Sequence, residues 1–229
     1  MVSRFFGSIK PDIGETLTMR RPALIFDFGN VVAHFDYGKA AAELGARLGI
    51  SGEELLDRIR RLGFSEILKS YESGQISGEA FSQRVSKLIG LEISHEEFQV
   101  AWADIFSAND SLTPVLASLK AQGYTLVLGS NTNEIHAGQF RRQFAETLGH
   151  FDRLILSYEV GHLKPSSLFY LACAEAAVCA PEDCVFIDDL LENIEGAKAA
   201  GLVGLHYRST ELLVQDLKNL GVKLPHNII

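Results

Sequence analysis

Five short apolar runs stand out along the chain: ALIFDF (23–28), TLVLGS (125–130), RLILS (153–157), CVFIDD (184–189) and VGLHY (203–207). They are apolar nearly throughout rather than alternating, the pattern of parallel strands buried on both faces. Helical periodicity fills the gaps between the last four. In 110–122, Leu112, Val115, Leu116 and Leu119 recur at i, i+3, i+4 and i+7, with Asp110 offered as a cap and Gly123 as a stop. Residues 134–148, 166–179 (opened by Pro165), 191–200 (ending at Gly201) and 210–220 (ending at Gly221) continue the series. Strand–helix alternation of this kind predicts an α/β fold with a doubly wound parallel sheet.

The rhythm changes between the first and second runs. Residues 37–107 carry no convincing strand pattern and read as helices over 37–49, 52–62, 65–73, 77–90 and 94–106. Gly49, Gly63, Gly74 and Gly90 punctuate them, and Ser51, Ser77 and Ser94 are expected N-caps. Ser94 with Glu97 has the spacing of a capping box. The expected organisation is an N-terminal extension over 1–20, an α/β core built from 21–34 and 108–229, and an inserted helical domain over 35–107.

Composition narrows the functional classes. The chain has 229 residues, 47% of them hydrophobic, enough for a sizeable core. Its formal charge of −8, from 29 acids against 21 bases, argues against binding to nucleic acid or to an anionic membrane surface. No apolar run approaches the ~20 residues of a membrane span, and the first residues lack the apolar core of a secretory signal. Cys173, Cys179 and Cys184 form an odd set without metal-ligand spacing and read as free thiols. A cytoplasmic setting, as a monomer or homodimer, is the expectation.

In open parallel sheets, ligands bind beyond the carboxyl ends of the strands. The predicted strands deliver Asp27, then Ser130, Asn131 and Thr132, then Lys164, then Asp188 and Asp189 to that edge. Clustered carboxylates repel one another unless a cation compensates them. Hard oxygen ligands with open positions suit Mg²⁺. A phosphate could bridge the metal, the Ser130 hydroxyl, the Asn131 amide at a helix start and Lys164. An aspartate in such a setting can attack phosphorus to give an aspartyl-phosphate, and Lys164 can stabilise the developing charge. Each residue alone is commonplace at a loop or helix cap; the order of all four signals at one edge carries the reading.

The succession FDFGNVV, VLGSNTN, HLKPSSLFY and VFIDDLLENIEGAKAAG resembles the haloacid dehalogenase superfamily, over about 23–201. The helical insert resembles that superfamily's helical cap of the first type. The match looks closer to the bacterial sugar-phosphatase branch that includes alpha-D-glucose-1-phosphate phosphatase, which also shares a stretch like Glu72-Ser73-Gly74-Gln75-Ile76-Ser77. The phosphatase domain of soluble epoxide hydrolase is a further relative. The resemblance implies a Mg²⁺-dependent phosphatase of small phosphorylated metabolites. Asp27 would be nucleophile and metal ligand, and Ser130, Asn131 and Lys164 would hold phosphate. Asp189 would be a second metal ligand, supported by Asp188, and Gly29 would offer its backbone carbonyl.

One position departs from the pattern. Most phosphatases of the superfamily carry a second aspartate, acting as general acid and base, where this chain has Gly29. Such a group is worth ~10²–10⁴ in rate. Three explanations follow: substrates whose oxygen leaves readily, as an anomeric sugar oxygen does; a substitute group, with His34, Asp36 and His136 as candidates; or a slow or inactive relative that binds phosphate without turnover. A 2-haloacid dehalogenase is the rival enzyme. It would use the same aspartate without metal, but such enzymes carry an arginine soon after the first motif, and residues 28–46 contain none. A helical lid would exclude water and large substrates. Tyr71, Phe81, Phe98, Trp102 and Phe106 read as the insert's core, and Phe35 and Tyr37 as the nearer candidates for substrate contact.

Overall fold

The computed structural model describes residues 21–225 and 228, so the expected extension over 1–20 lies outside the described residues. The chain begins with β1 (Ala23–Phe26) and β2 (Ala33–Phe35). Five helices follow: α1 (Tyr37–Leu48), α2 (Gly52–Arg61), α3 (Phe64–Glu72), α4 (Gly78–Ile89) and α5 (His95–Ala103). Next come β3 (Phe106–Ala108), α6 (Thr113–Ala121), β4 (Leu126–Ser130), α7 (Glu134–Gln143), α8 (Ala145–Leu148), β5 (Arg153–Leu156) and α9 (Ser157–Val160). The last elements are α10 (Ser167–Ala176), β6 (Cys184–Asp188), α11 (Leu191–Ala199), β7 (Val203–His206) and α12 (Thr210–Asn219).

The five expected apolar runs form one sheet in the order β5-β4-β1-β6-β7, parallel throughout. The fold is therefore α/β with β1 at the centre. Ala23, Leu24, Ile25 and Phe26 are all buried, because neighbours cover both edges and helices both faces. Burial on both faces does not extend to the outer strands. Arg153 on β5 and Val203 on β7 are exposed, and most of their neighbours are half-buried, since each edge strand pairs on one side only.

Within the insert, Ser51, Ser77 and Ser94 each accept the expected capping bond from the backbone, and Ser94 and Glu97 form the full capping box. Tyr71, Phe81, Phe98 and Trp102 are buried together, with Tyr71 and Phe81 stacked at 4.4 Å between centroids. One expectation for this region was wrong. The helix read over 94–106 stops at Ala103, and Phe106–Ala108 is a strand that pairs antiparallel with Ala33–Phe35. This short ribbon carries the chain into and out of the five-helix segment. Three residues per strand are too few to show alternation in a sequence.

Two further boundaries differ. Asp110 does not cap α6, which starts at Thr113 after Leu112 with Pro114 in its first turn. The helix read over 134–148 is interrupted at Phe144, where the backbone leaves helical values and the ring packs edge-on against Phe28 and Phe106. No helix among the described residues is long and apolar enough to cross a membrane. The three cysteines are free thiols, Cys173 and Cys184 buried and Cys179 half-buried.

Candidate active site

The central strand ends at Phe26, and the next residue, Asp27, is delivered at its carboxyl end. Its neighbours β4 and β6 end at Ser130 and Asp188. Asp27, Gly29, Ser130, Asn131, Lys164 and Asp189 line one cavity of about 310 Å³. Asp188 lies just beneath, fully buried. One ligand oxygen from each of Asp27, Asp188 and Asp189 lies within 4.8 Å of the others.

Lys164 sits between two of these acids. Its Nζ is 2.7 Å from Asp27 Oδ1 and 2.7 Å from Asp188 Oδ2, with all three groups buried. Burial alone would lower its pKa, but attraction from Asp27 and then Asp188 outweighs that and holds it above the ordinary lysine value. Asp27 is pushed up, chiefly by burial, with Lys164 opposing and Asp188 reinforcing the shift. Asp27 Oδ1 also accepts the Phe28 amide at 2.7 Å, leaving Oδ2 without a protein donor among the described residues. Asp189 is likewise raised, first by its partial burial, with the Asn30 bond opposing and Asp188 adding to the rise.

The two adjacent acids differ in their freedom. Asp188 accepts the Leu190 amide at 2.8 Å, Asn193 Nδ2 at 3.0 and 3.1 Å, and Lys164. Its lone pairs are largely committed to the protein. Asp189 accepts one side-chain bond, from Asn30 Nδ2 at 3.1 Å. Three oxygen donors, two of them with carboxyls held above their usual range, fit a hard divalent cation. Asp189, with an oxygen free, and Asp27 beside it are placed to hold one.

Asn131 does not open a helix. Helix α7 starts three residues later, capped by Asn133, whose side chain accepts from the His136 amide. The Asn131 side chain instead clamps the lysine loop: Oδ1 accepts the Lys164 amide at 2.8 Å and Nδ2 donates to the Lys164 carbonyl at 3.1 Å. Ser130 Oγ makes only a long 3.3 Å bond to the Asn131 carbonyl, so its hydroxyl remains available to a ligand.

Of the three substitute acid–base candidates, one lies outside the cavity and the other two are committed to other partners. His34 is exposed on the ribbon. Asp36 caps α1 by accepting the Gly38 amide at 2.7 Å. His136 Nε2 lies 3.0 Å from the Trp102 carbonyl, so it carries the proton, and Nδ1 then accepts from Asn133 Nδ2. Both ring nitrogens are committed. At Gly29 itself, an added Cβ would lie 2.8 and 2.9 Å from two ring carbons of Phe35. The space that a side chain at position 29 would need is held by that ring.

Three contributors were given no site role from the sequence. Asn30, at φ +56°, and Asn193 hold the two acids, and Glu72 enters the cavity from the end of α3. The Gly-Asn pair after β1 was the available signal for Asn30. Asn193 follows Asp188 by five residues, a spacing with no short-range meaning until α11 turns it back.

A family model for haloacid dehalogenase-like hydrolases matches residues 12–201. The chain therefore belongs to the haloacid dehalogenase-like hydrolases, as the resemblance of its four motifs implied. Among curated relatives, D-ribitol-5-phosphate phosphatase of Bacteroides thetaiotaomicron is 29% identical over 186 residues, covering 78% of this chain and 87% of that protein. Among solved structures, a HAD family enzyme of Bacteroides thetaiotaomicron superposes with a TM-score of 0.73 at 23% identity, covering 88% of this chain and 98% of that one. The wild-type form of that enzyme in complex with magnesium and inorganic phosphate superposes with a TM-score of 0.69 at 22% identity, covering 82% and 95%.

Proposed function

We propose that this protein is a Mg²⁺-dependent phosphatase of small phosphorylated metabolites, with sugar and polyol phosphates favoured and glucose-1-phosphate among the candidates to be tested. The observation that carries the reading is Lys164 bridging Asp27 and Asp188 at 2.7 Å each, with Asp189 close by, on the floor of one cavity. Relatives named as phosphatases, and a structural neighbour crystallised with magnesium and phosphate, support it.

In this reading Asp27 Oδ2 is the nucleophile toward phosphorus. Lys164 neutralises Asp27 Oδ1 and faces the same phosphoryl group, stabilising charge as it develops. The Ser130 hydroxyl and the backbone amides of Gly29 and Asn131 orient the phosphoryl oxygens. Asp27 and Asp189 would hold Mg²⁺, with the Gly29 carbonyl beside them; the ion would neutralise phosphate charge and align the ester for in-line attack. Asn30 and Asn193 fix the two acids that this requires. The five-helix segment would serve as the cap that excludes water and limits substrate size.

Asp27→Asn keeps the volume and removes the anionic nucleophile. Phosphate release is expected to fall below detection in that variant and in wild-type protein treated with a chelator, with activity restored by added Mg²⁺. Full turnover by Asp27→Asn would refute the assignment. Gly29 favours a second reading, a relative that binds phosphate without turning it over. Tight phosphate binding in calorimetry, with no release from any ester in a panel of sugar, polyol and nucleoside phosphates, would select it.

A further inference from the structure

We infer that Glu72 is the general acid and base of this site, a catalytic residue supplied by the five-helix segment where Gly29 supplies none. The inference rests on the phosphatase reading above and deepens it. Asp27 occupies the floor of the cavity, at the end of the central strand. In-line displacement at phosphorus puts the departing oxygen on the side opposite the attacking one. That side is the wall contributed by the insert, whose lining residues are Phe35, Tyr37, Leu68, Glu72, Ile105 and Phe106. Two of them ionise. Tyr37 is half-buried, and its desolvation holds the phenol far above the range of proton transfer at neutral pH. Glu72 is the carboxyl on that wall.

The surrounding structure holds Glu72 in place. Its neighbour Tyr71 is buried, stacks on Phe81 and accepts the Ile135 amide through its hydroxyl at 3.1 Å, which ties the end of α3 to the first turn of α7. Two residues on, Gly74 has φ +70°, and a Cβ there would lie 2.3 Å from the Tyr158 carbonyl. The chain on both sides of Glu72 is thus pressed against the α/β core. Besides Tyr37, the ionisable groups sharing its cavity are Asp27, Asp189, Lys164 and His136. Burial raises the Glu72 carboxyl to about 7, with attraction from Lys164 opposing. A group poised there exists in both protonation states at neutral pH, as a shuttle needs.

The two half-reactions balance through it. Asp27 Oδ2 forms a bond to phosphorus as the P–O ester bond breaks, its electron pair going to the ester oxygen. Glu72 gives that oxygen its proton, leaving an alcohol, an aspartyl-phosphate and the Glu72 carboxylate. A water molecule then gives its proton to Glu72 as its oxygen attacks phosphorus. The Asp27–phosphorus bond breaks, returning the Asp27 carboxylate, protonated Glu72 and inorganic phosphate.

The test is Glu72→Gln, which keeps shape and hydrogen bonding but transfers no proton, measured on esters of differing leaving group. Ethyl phosphate and glycerol phosphate need a protonated leaving oxygen; 4-nitrophenyl phosphate does not. The expected result is a fall of at least about 100-fold in the rate of aspartyl-phosphate formation from both alkyl esters, against a change of less than about fivefold in the same rate from 4-nitrophenyl phosphate. Retained reaction with the nitrophenyl ester also shows that the variant is folded. Equal loss on all three esters, or no loss on any, would overturn the inference. Loss on glycerol phosphate alone would overturn it too, since it would mark Glu72 as a hydroxyl-binding group. Wild-type protein inactive on every ester would instead defeat the phosphatase reading, and this inference with it.

Discussion

At position 29 the chain places a glycine and then covers it with the ring of Phe35, itself on the ribbon that leads into the helices. The glycine carries no positive φ, so a side chain there meets a steric obstacle rather than a backbone one. Phe35 is exposed, at 38%, so its ring can be removed without opening a buried cavity. This makes a rescue experiment possible. In a Glu72→Gln background, Gly29→Asp with Phe35→Ala is expected to restore ethyl phosphate hydrolysis at least about tenfold, measured as phosphate release. No recovery would mean that the empty position at 29 is not what Glu72 offsets. The same comparison in wild type is expected to favour alkyl phosphates over sugar-1-phosphates, whose anomeric oxygen needs less help to leave.

At the scale of elements, the contact between α5 and α7 carries a pH signature. His136 on α7 stacks on Trp102 of α5 at 5.2 Å and is buried, with its pKa lowered from 6.5 to about 4, chiefly by that burial. The unfolded chain would bind the proton first. His136 therefore contributes stability that is fully present above pH 6.5 and is lost as pH falls toward 4, up to about 3 kcal/mol. Asp27 and Glu72, both raised, act in the opposite sense, so the contrast with His136→Gln isolates the histidine. Urea midpoints measured from pH 4 to 7 should fall more steeply toward acid in wild type than in that variant.

Which elements could be read from sequence follows the same physics. Strands buried on both faces announce themselves as unbroken apolar runs, and so β1, β4 and β6 were legible together with the four polar residues at their ends. Serine caps were legible because the capping bond spans only three residues. The ribbon β2–β3 was not, because its partners are more than seventy residues apart and each contributes three residues. Glu72 escaped for a related reason. The stretch from Glu72 to Ser77 stood out as a likeness to sugar phosphatases, but it carried no role for the carboxylate, because the cavity that Glu72 enters is assembled from distant segments.

For the molecule as a whole, one of the places where the five-helix segment meets the α/β core is the Gly74–Tyr158 approach on α9. Gly74→Ala would strain a left-handed backbone position and drive a methyl into the Tyr158 carbonyl. A loss of about 1–3 kcal/mol in urea unfolding is expected, together with a rise in KM and a fall in kcat of about tenfold as Glu72 is displaced from Asp27. Unchanged kinetics in a destabilised variant would mean that this approach supports folding without setting the cavity.

The seam between insert and core also has an optical consequence. Trp102 is the chain's single tryptophan, stacked on His136 with an interplanar angle of 14°, and its indole nitrogen is buried without a partner among the described residues. All indole emission from the protein therefore originates at the junction of α5 and α7, against an imidazole that can quench it. Separation of α5 from α7 would bring water to that indole and redden its light, so the native chain carries its own optical label at this junction, with no dye and no added mutation.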